Sequence, residues 1–204
     1  MIWTGGEGDP YILLRQLLYI RREKPDAQGQ IPQQVLKAYM AEQGGELPPL
    51  PEIARTERGK PYFPHHPELH FSLSHSGGLA LCALADTPVG ADLELVRPRK
   101  PGLPRYVLSD REYAWYEDRG SCWEDFYILW TLKEARVKCT GEGLFRRPAR
   151  EISVPLLPGG EADWEGFRFT AIAGESQEEG DFFGAICQSL AEKGRQEAPY
   201  QGKL

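Results

Sequence analysis

A chain of 204 residues is long enough to bury a core in one large domain or two small ones. Its 41% hydrophobic, 11% aromatic and 26% charged residues are ordinary for a folded protein, and a net charge of -6 argues against a general nucleic-acid binder. No segment approaches the roughly 20 apolar residues of a membrane span, and Met1-Ile2-Trp3-Thr4-Gly5-Gly6 lacks the basic-then-apolar pattern of a secretory signal. The cytoplasm, with no membrane partner, is therefore the expected location. Cys82, Cys122, Cys139 and Cys187 are far apart in sequence and form no CxxC pair or zinc spacing, so they read as isolated buried or idle thiols.

In chain order, Asp9 to Arg22 reads as a helix, because Ile12, Leu13, Leu17 and Ile20 recur near helical spacing. Pro32 to about Gln43 reads as a second helix, ended by Gly44-Gly45. Leu47-Pro48-Pro49-Leu50-Pro51 is a loop. Leu69, Phe71 and Leu73 then alternate with His70, Ser72 and Ser74, as a half-buried strand does. Gly77-Gly78 supplies a turn, Leu79 to Ala85 is a continuous apolar strand, and Val89 to Val96 follows as a third, suggesting an antiparallel meander.

Pro98 to Pro104 reads as a linker. Ser109-Asp110-Arg111-Glu112 has the S-x-x-E form of a capping box, so a helix should start there. Phe126 to Cys139 is a longer helix closed by Gly141 and Gly143. Phe167–Ala173 and Phe182–Gln188 are late strands, and the tail from Ala191 is polar. The expected fold class is α+β, with two pseudo-duplicated lobes, residues 1–100 and 101–204. Each lobe would be a helix packed on a small antiparallel sheet, with an active site in the cleft between them.

Asp92 and Glu94 stand one residue apart in the apolar strand Val89-Gly90-Ala91-Asp92-Leu93-Glu94-Leu95, so both carboxylates face one way and Leu93 and Leu95 the other. Such a pair suits a hard cation like Mg²⁺, although an ordinary solvated strand face would look the same. Trp130, Glu134 and Lys138 lie at i, i+4 and i+8 along one helical stripe. That stripe could hold a metal ion and a phosphate together, or be a surface ion pair beside an aromatic residue. Ser72-Leu73-Ser74-His75-Ser76-Gly77-Gly78 ends a strand with hydroxyls, an imidazole and glycines that suit phosphate oxygens. A serine hydrolase built on Ser74 and His75 is disfavoured, since neighbouring strand residues face opposite ways and the G-x-S-x-G elbow is absent. Gly59-Lys60-Pro61 is a short basic turn.

In order and spacing, Gly59-Lys60-Pro61, Phe71-Ser72-Leu73-Ser74-His75-Ser76, Gly90-Ala91-Asp92-Leu93-Glu94 and Trp130-Thr131-Leu132-Lys133-Glu134-Ala135-Arg136-Val137-Lys138 resemble the 4′-phosphopantetheinyl transferases. The similarity is to the larger pseudo-dimeric class that activates peptide and polyketide synthase carrier domains. It covers about Arg55 to Gln188.

The resemblance implies transfer of the 4′-phosphopantetheine arm from coenzyme A to a serine of an acyl or peptidyl carrier protein, by a monomer, with Mg²⁺ and release of 3′,5′-ADP. It implies Asp92, Glu94 and Glu134 as metal carboxylates, and Lys138, Ser74 and His75 on the coenzyme A phosphates. Lys60 would lie toward the nucleotide end. Glu134 would be the first candidate for the proton acceptor. Glu112 matches a further family glutamate, with its capping-box role as the competing explanation. A non-catalytic coenzyme A- or carrier-binding protein is the alternative. The departure lies upstream, where only 58 residues precede Gly59 and no basic cluster matches the family's; Arg15, Arg21, Arg22 and Lys24 are possible replacements.

Overall fold

In the computed structural model, residues 11–13, 16–22, 52–57, 59–142 and 147–190 are described. They form an α+β fold of two four-stranded antiparallel sheets, a two-stranded hairpin and three α-helices. The first sheet has the order β1-β2-β6-β5, formed by β1 (Tyr11–Leu13), β2 (Gln16–Arg22), β5 (His70–Ser76) and β6 (Leu79–Ala85). The second has the order β7-β10-β9-β8, formed by β7 (Val89–Leu95), β8 (Gly160–Trp164), β9 (Phe167–Ser176) and β10 (Gly180–Ser189). The small hairpin pairs β3 (Ala54–Arg55) with β4 (Pro61–Tyr62). The helices are α1 (Leu103–Val107), α2 (Asp110–Asp118) and α3 (Trp123–Thr140), followed by a 3₁₀ turn over Ala149–Glu151.

The helix expected over 9–22 is instead the strand pair β1 and β2. The run Leu17-Leu18-Tyr19-Ile20 fits helical spacing, but an unbroken apolar run also fits a strand flanked on both edges. Pairing decides: β2 has β1 on one side and β6 on the other, with Leu17 opposite Leu84 and Ile20 opposite Leu81. The helix expected over 32–43 and the tail from 191 lie outside the described residues.

The expected meander holds for β5 and β6, which pair from His70↔Ala85 to Ser76↔Leu79. It does not extend to β7, whose backbone pairs with β10 from Leu95↔Phe182 to Val89↔Gln188. β7 thus pairs with a strand far along the chain, and the chain changes sheets at Asp86-Thr87-Pro88. Proline lacks the N–H that a continuing ladder would use.

The apolar run of β6 is explained by burial on both faces. Leu79, Leu81, Ala83 and Ala85 enter a cluster between the two sheets with Leu93, Leu95, Ile172, Phe182 and Ile186. Ala80, Cys82 and Leu84 enter a second cluster with Phe63 and Phe71. The third and largest cluster lies where α3 covers the second sheet, with Phe126, Leu129 and Leu132 against Phe169, Ala185 and Cys187. The predicted capping box starts α2: Ser109 N–H donates to Glu112 at 2.8 Å, and Glu112 N–H donates to Ser109 Oγ at 3.4 Å. Gly141 closes α3 in the left-handed conformation, φ 69°. Strand β8 was not foreseen, because its sequence Gly-Glu-Ala-Asp-Trp is an exposed edge with little apolar alternation.

Gly90 sets the distance between β7 and α3. A Cβ there would lie 2.0 Å from the Ala135 carbonyl oxygen and 2.3 Å from the Cys139 nitrogen, both backbone atoms that cannot rotate away. Gly90→Ala must therefore push α3 off the sheet. Overpacking of this kind costs about 1–3 kcal/mol or more, so the variant should melt well below wild type or fail to accumulate in soluble form. Thermal unfolding of purified protein checks this, and an unchanged melting temperature would contradict it.

Candidate active site

Gly90, Asp92 and Glu94 share the face of β7 that meets α3, by the two-residue period of a strand. Asp92 is buried, Glu94 half-buried and Glu134 buried. Lys138, one turn beyond Glu134 on α3, donates to Asp92 Oδ1 at 2.7 Å and to Ser74 Oγ at 3.0 Å. Ser74 in turn donates to Asp92 Oδ1 at 2.9 Å. With Lys138 on Asp92 and Gly90 against Ala135 and Cys139, the helical stripe and the D-x-E strand face each other.

The serines of β5 join the two sheets at this point. Ser72 Oγ accepts from the Ala91 N–H at 2.9 Å, and Ser76 Oγ accepts from the Leu95 N–H at 3.1 Å. Ser76 also donates to Glu94 at 3.2 Å. The constant offset along both strands means that β5 and β7 run parallel, linked through hydroxyls in place of a backbone ladder. Sequence reasoning took Ser74 for phosphate contact and missed the stitching role of Ser72 and Ser76. Their period-two spacing with Ser74, ahead of a strand with period-two acids, was the available signal.

A cavity of about 290 Å³ opens beside this cluster, lined by Gly59, Lys60, Pro61, Phe71, Ser72, Leu73, Glu134, Val137, Lys138 and Gly141. Lys60 reaches in from the β3–β4 hairpin and donates to the Cys139 carbonyl at the end of α3, 2.9 Å away. A cation there offsets the negative end of the helix dipole. Burial holds the Lys60 ammonium below the usual lysine value.

Burial pushes the Glu134 carboxyl up to about 7, with Asp92 adding to the rise and Lys138 opposing it. Glu94 is raised too, first by burial and then by Asp92. Asp92 Oδ2 and Glu134 Oε1 are buried with no hydrogen-bond partner. Buried carboxylate oxygens left unpaired are costly, and two of them beside Glu94 form a donor set that fits a hard divalent cation. Among the described residues no three acidic, histidine or cysteine side chains close into a metal cage. Three carboxylates leave positions for phosphate oxygens and water, as Mg²⁺ prefers.

Two expected residues stand apart from this cluster. His75 is exposed and, by strand alternation, points to the opposite face from Ser74. Glu112 is 1% exposed, and its carboxylate is held by Ser109 and by Lys133 Nζ at 2.8 Å. Lys133, itself fully buried, also donates to the carbonyls of Ala149 at 2.9 Å and Ile152 at 2.6 Å. The pair ties α2, α3 and the 3₁₀ turn together.

Comparison with known families agrees with this arrangement. The model of the 4′-phosphopantetheinyl transferase superfamily matches residues 88–187, the span that holds β7, the three helices and most of β10. Among similar proteins, the 4′-phosphopantetheinyl transferase Sfp of Bacillus subtilis is 35% identical over 111 residues, covering 53% of this chain and 49% of the relative. The 4′-phosphopantetheinyl transferase AcpT of Escherichia coli O157:H7 is 42% identical over 100 residues, covering 47% and 51%. AcpT of Salmonella typhimurium is 37% identical over 114 residues, covering 53% and 59%. Over residues 88–187 the chain is similar to the 4′-phosphopantetheinyl transferase superfamily. It spans about half the length of the curated relatives it matches.

Proposed function

We propose that this chain transfers the 4′-phosphopantetheine arm of coenzyme A to a serine hydroxyl of an acyl or peptidyl carrier protein, releasing 3′,5′-ADP, with Mg²⁺. The observation that carries the reading is the pair of unpartnered buried oxygens, Asp92 Oδ2 and Glu134 Oε1, beside the Lys138 ammonium at a cavity lined by the β3–β4 hairpin, β5 and α3. Asp92, Glu94 and Glu134 would hold the ion. Bound there, Mg²⁺ would neutralise charge on the pyrophosphate as the ADP oxygen leaves.

The chain's own groups supply the rest. Lys138 can turn from Asp92 to a phosphate oxygen, because its side chain is 32% exposed. Ser74 can donate to the same group. Lys60 lines the far side of the cavity. Glu134, with its carboxyl raised toward neutrality, is the group suited to accept the serine proton. The nucleophile arrives on the partner, so no enzyme serine needs activation. Glu112 is a positioning residue in this reading, since its carboxylate is committed to Lys133 and the α2 cap.

The test is incubation with coenzyme A, Mg²⁺ and a panel of apo-carrier proteins, reading the mass gain of the pantetheine arm. Coenzyme A binding without a mass gain on any carrier would overturn transfer in favour of a binding role.

Carrier docking gives a second expected result. Arg97, Arg99 and Lys100 are exposed on the connection that leads from β7 into α1, and Arg105 is exposed on α1 itself, as is Tyr106 at 79%. A basic, partly apolar surface suits an acidic partner despite the negative total charge. Lys100→Glu with Arg105→Glu should raise KM for the carrier and leave KM for coenzyme A unchanged. An unchanged carrier KM at low salt would reject the surface. Arg147 and Arg150, after α3, are exposed as well, while Arg146 lies outside the described residues.

A further inference from the structure

Cys139 and Cys187, 48 residues apart in sequence, meet in the fold. Cys187 on β10 is the cross-strand partner of Gly90 on β7. Cross-strand partners direct their side chains to the same face of a sheet. A Cβ on Gly90 would strike the Cys139 nitrogen at 2.3 Å, so that face is the one on which the last turn of α3 rests. The Cys187 thiol therefore points at the turn that carries Cys139. The Cys139 thiol donates to the Pro88 carbonyl at 3.2 Å, just ahead of β7 and two residues before Gly90. Both cysteines are free and buried, at 3% and 0% exposure.

We propose that Cys139 and Cys187 are a redox-modification site, closing to a disulfide under a peroxide and reopening under a thiol reductant. The electrostatic setting favours Cys139 as the attacking sulfur. The neighbouring Cys187 thiol and the Lys60 ammonium hold its thiol below the usual value, while burial and Cys139 push the Cys187 thiol up. The Cys139 thiolate attacks one peroxide oxygen, the O–O bond breaks, and with one proton water leaves, giving a sulfenic acid. The Cys187 sulfur attacks that sulfur, its proton goes to the departing hydroxyl, and a second water leaves. Two thiols and one peroxide become one disulfide and two waters.

The site bears on function because of what the turn carries. Lys138 precedes Cys139, and the Cys139 carbonyl holds Lys60. Closing the bond draws the sulfurs to about 2.05 Å and pulls this turn toward β10. Both cations lining the cavity shift with it, so the oxidised protein should bind coenzyme A several-fold more weakly. That consequence rests on the proposed transferase reading, whereas the disulfide itself does not.

The experiment treats the folded full chain with hydrogen peroxide, caps remaining thiols with an alkylating agent, and maps disulfide-linked peptides by mass. Wild type and Cys122→Ala should lose two hydrogens and yield a peptide joined through residues 139 and 187. Cys187→Ala should yield none. Alkylation of both Cys139 and Cys187 in peroxide-treated wild type, with oxidation confined to Cys122, would overturn the pair. Transfer and coenzyme A binding are then compared before oxidation, after it, and after dithiothreitol. A crosslinked protein that binds coenzyme A as tightly as the reduced one overturns the switch. A crosslinked protein inactive in both states supports the pair and counts against the transferase reading.

Discussion

Asp92→Asn is expected to lower the rate of arm transfer by about 10²–10³, the loss typical of removing one electrostatic contact made at the transition state. The change keeps the shape of the side chain and the oxygen that accepts from Lys138 and Ser74 at 2.7 and 2.9 Å. What it removes is the negative charge and the unpartnered Oδ2, where an amide nitrogen now stands. Glu134→Gln removes the other unpartnered oxygen and should lose a comparable factor. A second readout separates metal binding from catalysis. A ligand that binds only the folded state stabilises it by about 2.7 kcal/mol at a hundredfold excess over Kd. Saturating Mg²⁺ should therefore raise the melting temperature of wild type and leave that of both variants where it was. Near-wild-type transfer by either variant, or an equal Mg²⁺ shift in all three proteins, would remove these carboxylates from the metal site.

The parts of this site that could be read in the sequence are those set by local periodicity. Asp92 and Glu94 on one strand face and Trp130, Glu134 and Lys138 on one helical stripe follow from spacings of two and four, and the folded chain brings the two sets together. The α2 capping box and the Gly141 stop are equally local. What escaped depends on partners distant in the chain. Nothing within 17–20 distinguishes helix from strand until β6 is present to pair with it. The transfer of β7 to the second sheet requires β10, almost a hundred residues later. Nothing in the local sequence marks Lys133 as buried, yet Glu112 and two carbonyls past residue 148 draw it fully inside. The cysteines read as isolated thiols because their proximity exists only after α3 is laid on the sheet.

Lys133→Met should be among the most destabilising single changes in the second half of the chain. The Lys133 ammonium and the Glu112 carboxylate are 1% and 2% exposed and 2.8 Å apart. Burial, aided by the nearby Arg136 charge, pulls the Lys133 ammonium below the usual lysine value, with Glu112 opposing that shift. Such a pair is weak evidence of net stabilisation, because desolvation cancels much of the attraction. Breaking it from one side is different. Methionine fills the volume, but it leaves the Glu112 carboxylate buried with only the Ser109 N–H, and the carbonyls of Ala149 and Ile152 lose their donor. Removing one partner of a buried pair costs about 3–5 kcal/mol. For a chain of this size that corresponds to a fall in melting temperature of about 6–20 °C. Adding Glu112→Leu to Lys133→Met should recover a large part of the loss, since no uncompensated charge then remains. The same series tests the role of Glu112 in catalysis. Glu112→Gln should lower the melting temperature while the folded fraction transfers within a few-fold of wild type. A loss of 10²-fold or more at unchanged stability would instead make Glu112 the proton acceptor. If Lys133→Met melts where wild type does, the ammonium is not what holds α2, α3 and the 3₁₀ turn together.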